Sequence, residues 1–449
     1  MMQLETEINK PLTDSPKLGV LEYLYVLMLI LYSGRSIEFF ETIQIMSNPA
    51  GALLPVIFSG IMAFKWRIYF NVNFYMLLFF FALYFVAVSV KFYVIQPTFL
   101  VTYYFLFFVV YVAIKSLKYN IFIIYEIILF YFAVISLFFW SMQVALGGDT
   151  LYAIFGKFAF QPPMSTVSGN GLSAIFYTIQ SYETNLINNA TIARNCGFAW
   201  EPGSFAVYVC MGIFINLFLI KRDKFATIRF WVLFIAVVST QSTTGYVIMM
   251  LIGLLYLFNR DLKKVLLLLP VAVIVFVAVS SLPFMKEKIV DLIGETENID
   301  ELLYMSYGRE RNVTPQRFTS LLITWRDFKA HPILGLAAHY EEEWTYKLGS
   351  RISAISGIGN LMSQFGLVGT IFFFFIGIRS SIDFSRFFRY KGTLLLFLML
   401  FGVTISYSVV FKPFVMCFWM YSLFEPRFGK HDDDPAVREI DGAQPENQT

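Results

Sequence analysis

The sequence predicts an all-α polytopic membrane protein: about twelve transmembrane helices, with two long outer loops that contain short helices of their own. Three observations carry that expectation. Residues of the set AVILMFWYC make up 57% of the 449 positions and charged residues only 14%, about half the charge of an average soluble chain. The 51 Phe and 26 Tyr raise the aromatic share to 19%, leaving too little polar side chain to cover soluble domains of this size. Finally, apolar runs long enough to span lipid recur along the chain, and Lys and Arg gather in alternate connections between them.

The runs lie near 18–34, 49–64, 70–90, 97–114 and 121–145, then 199–220, 226–242, 244–259 and 265–283, then 356–378, 393–410 and 412–425. With the N-terminus inside, the inner connections hold Lys65 and Arg67, Lys115 and Lys118, Lys221 to Lys224, Arg260 to Lys264, and Arg379 to Lys391. The short outer ones hold only Arg35, Lys91 and Lys412. This is the bias expected when positive loops stay in the cytoplasm. The chain then divides into helices 1–5 over 1–145, a first long outer loop over 146–198, and helices 6–9 over 199–283. A second, partly helical outer loop covers 284–355, helices 10–12 cover 356–425, and a cytoplasmic tail covers 426–449.

Several function classes drop out. A formal net charge of +3 is too small for a nucleic-acid binder. Three cysteines give neither a disulfide framework nor a metal spacing. Glu22 and Glu126 fall toward cytoplasmic ends of their runs, and none carries a central Asp, Lys or Arg; ion-coupled transporters usually need such groups, although a flippase does not. His331 and His339, followed by Glu341, Glu342 and Glu343, form no metal motif.

Chemistry gathers instead on the outer face. Arg194 and Glu201 stand just before and at the mouth of an apolar run, in Ala193-Arg194-Asn195-Cys196-Gly197-Phe198-Ala199-Trp200-Glu201-Pro202-Gly203. A carboxylate at that boundary must be paired or wet. It also suits the positive start of a helix that Pro202 opens, and Arg194 suits an anchor to lipid phosphate, so structural and functional roles are both open. Downstream, Pro315 to Lys329 reads as a helix along the membrane surface, carrying Arg317, Trp325 and Arg326 and ending at His331. Arginine grips a diphosphate better than lysine because its planar fork donates two parallel hydrogen bonds; lipid head groups would attract the same basic cluster. Asn360 and Gln364 share a face where the tenth run begins, and Gly366 and Gly369 place two small residues nearly in line for close helix packing.

Taken together these segments resemble the O-antigen ligase and polymerase superfamily of bacterial envelope glycan assembly. The likeness rests on Arg194 with Gly197-Phe-x-x-Glu201-Pro202-Gly203-Ser-Phe-Ala206, on Thr240-Gln-Ser242-Thr-Thr-Gly245-Tyr, on Arg317 with Trp325 and His331-Pro-Ile-Leu-Gly335, and on Gly359-Asn360 with Gly366-Leu-Val-Gly369. Ligases of the family carry a His-Asn pair where this chain has Gly359-Asn360, and Thr243 stands where an Arg often follows the serine. The missing histidine favours a Wzy-type repeat-unit polymerase.

The resemblance implies a glycosyltransferase of the bacterial inner membrane, multi-pass, with both termini cytoplasmic and its active site periplasmic. It would join oligosaccharide units carried on polyprenyl diphosphate into a surface polysaccharide such as O-antigen, without metal or cofactor. Donor and acceptor would both be lipid-linked oligosaccharide, with membrane lipid around it and a chain-length regulator as the protein partner. The alternatives are a ligase that moves glycan to a lipid core, and a lipid-linked oligosaccharide flippase. A diphosphate leaves without protonation, so the task is to hold its developing charge. Arg194 and Arg317 are the expected clamp and Arg326 a third donor, with Glu201 or His331 as base. Trp325, Tyr340, His339 and Asn360 are the expected substrate contacts.

Overall fold

The computed structural model describes residues 18–34, 49–155, 172–174, 176–179, 183–185, 191–199, 201–220, 224–260, 315–349, 352 and 355–425. The expected run at 265–283, Trp200 and the tail from 426 lie outside the described residues.

Helices form where the apolar runs predict them. In order they are α1 (Val20–Gly34), α2 (Pro49–Lys65), α3 (Val72–Phe92), α4 (Pro97–Leu117), α5 (Asn120–Leu146), α6 (Gly148–Phe155), α7 (Pro202–Phe218), α8 (Lys224–Thr240) and α9 (Thr243–Arg260). After these come α10 (Arg317–Ala330), α11 (Trp344–Lys347), α12 (Gly357–Phe387), α13 (Leu395–Ser406), α14 (Pro413–Trp419) and α15 (Tyr421–Phe424).

The expectation of about twelve spanning helices is corrected by their lengths. Among the described residues only four helices, α3, α4, α5 and α12, are long and apolar enough to cross a membrane. The others stop early for local reasons. Pro202 and Pro413 set late starts for α7 and α14, because proline is best tolerated in a helix's first turn. The run at 412–425 breaks at Met420 into α14 and α15. The 12 residues of α13 rise only about 18 Å, well short of the roughly 30 Å hydrocarbon core. Four long apolar helices, several shorter ones and a broad exposed apolar surface give the protein membrane character.

A second correction concerns the all-α expectation and the first loop. Beside the short helix α6, the segment holds two antiparallel hairpins, β1 (Leu172–Ala174) with β2 (Tyr177–Ile179), and β3 (Glu183–Asn185) with β4 (Thr191–Ala193). The second loop does contain the expected helix, α10, but it packs against α12 through the buried side chains Ser320, Ile323, Thr324 and Asp327.

The core is aromatic and lies between α4, α5, α7, α12 and α14, where Tyr125 stacks on Phe414 at 3.8 Å between ring centroids. Two buried carboxylates are paired across helices: Glu22 of α1 receives Lys65 of α2 at 2.5 Å, and Glu126 of α5 receives Arg229 of α8 at 2.9 Å, as burial of charge requires.

The glycines of α12 do not serve as a smooth packing stripe. Gly366 takes φ 59° and ψ −158° inside the helix, a conformation open essentially to glycine alone. The segment 332–337 inserts at this break. Leu367 N–H donates to Pro332 O and Ala337 N–H to Gln364 O, both at 2.8 Å. A side chain at Gly366 would collide with the Ile333 carbonyl.

Candidate functional site

The first loop delivers Arg194 through a buried asparagine. Asn195 donates from Nδ2 to Ser136 Oγ at 3.1 Å and Ser239 Oγ at 2.9 Å, and accepts from Gly197 N–H at 2.9 Å. Trp140 Nε1–H donates to Ala193 O at 2.7 Å. The strand that ends at Ala193 is thereby fixed to α5 and α8. Gly197, at φ +50°, leaves room for the Phe205 ring, which occupies the place a Cβ would take. These contacts hold Ala193, Asn195 and Gly197 against α5, α8 and the Phe205 ring.

Arg194 then caps α8. Its Nε donates to Thr240 O at 3.1 Å and its Nη2 to Gln241 O at 3.2 Å, satisfying carbonyls that the end of a helix leaves without an internal partner. Two of its five N–H donors are used this way.

Arg317 approaches the same turn from α10. Its Nη1 donates to Thr244 Oγ1 at 3.3 Å, its Nη2 stands 3.8 Å from Glu201 Oε2, and its guanidinium lies 3.8 Å over the Tyr407 ring. Arg317 and Glu201 keep about a third of their side chains exposed, 30% and 35%, so the pair is loose and wet. Tyr407 is buried. Burial and the Glu201 carboxylate raise its phenol above the ordinary range, while the charges of Arg317 and Arg194 pull it back. Both guanidinium groups therefore bear on one side chain and on one five-residue turn, Thr240 to Thr244.

Two helices begin at this cluster. Glu201 is the N-cap residue of α7, and α9 opens at Thr243 with Gly245 pressed against Ala206 of α7, closer than a side chain would allow. Each start adds partial positive charge and N–H groups without internal partners. Gly203 is packed so tightly that a Cβ there would fall on the Tyr407 hydroxyl and 3.4 Å from Arg317 Nη2. The arrangement brings two guanidinium groups and two helix starts together, with one carboxylate at the edge, a combination able to receive an anion.

The remaining expected residues sit elsewhere. His331 ends α10, 14 positions beyond Arg317, which the helical rise makes about 21 Å. Its ring meets Phe92 edge-on at 5.3 Å and its Nε2 is buried without a hydrogen-bond partner. Burial, then Lys91 and Lys347, lowers its pKa below the usual histidine range. It cannot act as base at the arginine cluster. His339 is also structural: it stacks on Phe92 at 4.5 Å and directs its ring nitrogens at Leu336 O and Val94 O. Arg326, nine positions along α10 from Arg317 and so on the opposite side of the helix, lies 4.1 Å over the Trp344 ring. Trp325 is partly exposed beside Phe328.

Tyr340 and Asn360 line a separate cavity of about 690 Å³ between the start of α4, α10, the 340–345 segment and the first turns of α12. Asp327 and Glu343 face it as well. Asp327 accepts from Trp344 N–H at 2.7 Å; burial raises its pKa above the usual carboxylate range. Burial, together with Asp327, pushes Glu343 up to about 7.

Sequence reasoning gave no site role to Tyr407, Thr244, Asp327 or Glu343. Thr244 lies inside the Thr240–Tyr246 motif, and Asp327 and Glu343 stand out as acids beside the aromatic residues Phe328 and Trp344, while Tyr407 left no trace. Gly359, the position that departs from the ligase pattern, is a packing contact: a Cβ there would collide with Thr324 Oγ1 of α10.

No protein-family model matches the chain, and a search of curated proteins finds no match.

Proposed function

We propose that this chain is a membrane glycosyltransferase that polymerises oligosaccharide repeat units carried on polyprenyl diphosphate, by way of the Arg194–Arg317 cluster. The observation that carries the proposal is the convergence of two guanidinium groups from separate segments on one turn, beside two helix starts. That surface matches a diphosphate in charge and in hydrogen-bonding shape.

A diphosphate oxygen leaves the anomeric carbon with its electron pair, and the sugar becomes oxocarbenium-like. Arg317, held over the Tyr407 ring, turns its remaining donors from the loose Glu201 contact to the departing phosphate. Arg194 supplies the donors not spent on Thr240 and Gln241. Each preorganised donor is worth roughly 2.7–4 kcal/mol in the transition state. Glu201, released from Arg317, takes the proton of the attacking sugar hydroxyl; of the two candidate bases it is the one at the cluster. The bond formed is the new glycosidic C–O bond, and the bond broken is the anomeric carbon–phosphate oxygen bond. On this reading the protein is multi-pass in the bacterial inner membrane, with the cluster on the periplasmic face and the termini in the cytoplasm. Its partners are the lipid-linked oligosaccharide and a chain-length regulator.

The ligase alternative is weaker, because position 359, a histidine in ligases of the family, is glycine here, packed so closely that a Cβ would meet Thr324 Oγ1 of α10. The test is incubation of purified protein with lipid-diphosphate repeat units alone. A ladder of polymers is expected from the wild type, with Arg194→Lys folded but falling about 100-fold or more in rate, since it keeps the charge and loses the fork. Transport of the units without new glycosidic bonds would overturn the assignment in favour of a flippase.

A further inference from the structure

The 690 Å³ cavity beside the arginine cluster has a chemistry of its own. Its size falls within the range of small-molecule sites, roughly 300–1,000 Å³. Its wall mixes hydroxyl and amide groups (Thr98, Thr102, Asn360, Gln364) with the carboxyl groups of Asp327 and Glu343 and the aromatic rings of Phe99 and Tyr103. Several of these groups are held from behind. Gln364 Oε1 accepts from Ala338 N–H at 2.9 Å, which turns its NH2 toward Glu343 Oε1 at 3.5 Å. The Asp327 carboxylate is fixed by Trp344 N–H. The wall sets two carboxyl groups, Asp327 and Glu343, against one ammonium, Lys412, so it offers no surplus of positive charge to an anion, and it would waste its polar atoms on an apolar ligand. A sugar suits it: hydroxyl groups both donate and accept, and the C–H face of a pyranose lies on an aromatic ring.

Position adds a second argument. Gly357, on the cavity wall, rests against the Tyr407 backbone, and Tyr407 carries Arg317. Thr324, also on the wall, lies seven positions from Arg317 along α10, about 10 Å. On its other side the cavity shares Tyr103, Phe365 and Phe411 with an almost wholly apolar groove between α3, α4 and α12.

We propose that this cavity is an oligosaccharide-binding site, in which Glu343, Asn360 and Gln364 hold sugars of the glycan next to the diphosphate cluster. The proposal rests on the polymerase reading for the identity of the glycan, but not for its chemistry. Glu343, nearly half protonated around neutrality, can offer a sugar a donor as well as an acceptor.

The experiment measures two ligands on the full-length purified protein. One is the lipid-free oligosaccharide released by mild acid from the host's lipid-linked repeat units; the other is farnesyl diphosphate. Intrinsic tryptophan fluorescence reports binding. Gln364→Ala and Glu343→Ala are expected to weaken the oligosaccharide at least tenfold and to leave farnesyl diphosphate unchanged. Arg317→Lys is expected to do the reverse. Thr98→Trp, at the exposed rim, occludes the cavity without touching the core, and should abolish oligosaccharide binding even if another variant fails to fold. Oligosaccharide binding that survives Thr98→Trp and Gln364→Ala, or that the wild type lacks, overturns the site. Binding that maps to the cavity in a protein that makes no polymer would leave the site standing and remove the polymerase reading.

Discussion

Replacing Gly203 with alanine adds one methyl group at the most crowded point of the cluster. On helix propensity alone the change should help α7, by up to about 1 kcal/mol. The contacts say otherwise. The new Cβ would fall on the Tyr407 hydroxyl, 2.7 Å from Tyr407 Cζ and 3.4 Å from Arg317 Nη2. Tyr407 has little freedom to retreat, because it is buried, its ring lies under Arg317 and its carbonyl abuts Gly357. Overpacking of this kind costs about 1–3 kcal/mol, so the net effect on stability should be a modest loss. The larger effect falls on Arg317, whose stacking surface moves. If Arg317 loses its hold on the leaving phosphate, activity should fall about 100- to 1,000-fold. Two assays on one preparation separate the effects: thermal unfolding in detergent, and polymer formation from lipid-linked repeat units. Gly203→Ala combined with Tyr407→Phe removes the overlapping oxygen and should recover part of both losses. A Gly203→Ala protein with wild-type melting temperature and wild-type rate would refute the packing of Tyr407 between α7 and Arg317.

Other outcomes follow from single contacts. Gly366→Ala forces a side chain onto φ 59° and against the Ile333 carbonyl; a loss of about 1–3 kcal/mol or more should appear in thermal unfolding. Asn195→Ala leaves Ser136 and Ser239 without their shared donor. It should cost about 1–3 kcal/mol and lower activity more than Ser141→Ala, a control at an exposed hydroxyl. Glu343 keeps its proton in the folded state to about pH 7, against an ordinary value of 4.5. Between those pH values the unfolded chain gives up that proton first, so stability falls as pH rises from 4.5 toward 7. Glu343→Gln should remove that slope, worth at most roughly 3 kcal/mol, as seen in melting temperatures at pH 5 and pH 8.

The helical segments were legible because apolar runs and their polar breaks leave a clear periodic signal; helix lengths were not. Nothing local announces that Gly366 takes a backbone conformation that admits a second segment, or that the run around Met420 divides into two short turns. The hairpins at Leu172–Ile179 and Glu183–Ala193 are three-residue strands, too short for alternation to show. Arg194 and Glu201 stood out because charge next to an apolar run demands an explanation, and Arg317 because it opens what reads as a basic helix on the membrane surface. Tyr407 did not, being one of 26 tyrosines at the end of one more apolar run. Glu343 was hidden at the end of three consecutive glutamates, the first of which is exposed. His331 misled because loop histidines invite a catalytic role, while the length of α10 that carries it away from Arg317 emerges only from the folded helix.

Affinity for a diphosphate tests the central claim most directly. Farnesyl diphosphate binding should be measured for the wild type, Arg194→Lys, Arg317→Lys and the double variant. If both forks hold one diphosphate, each single change weakens binding at least tenfold, and the double change weakens it by less than the product of the two. Undiminished binding in the double variant would contradict the account.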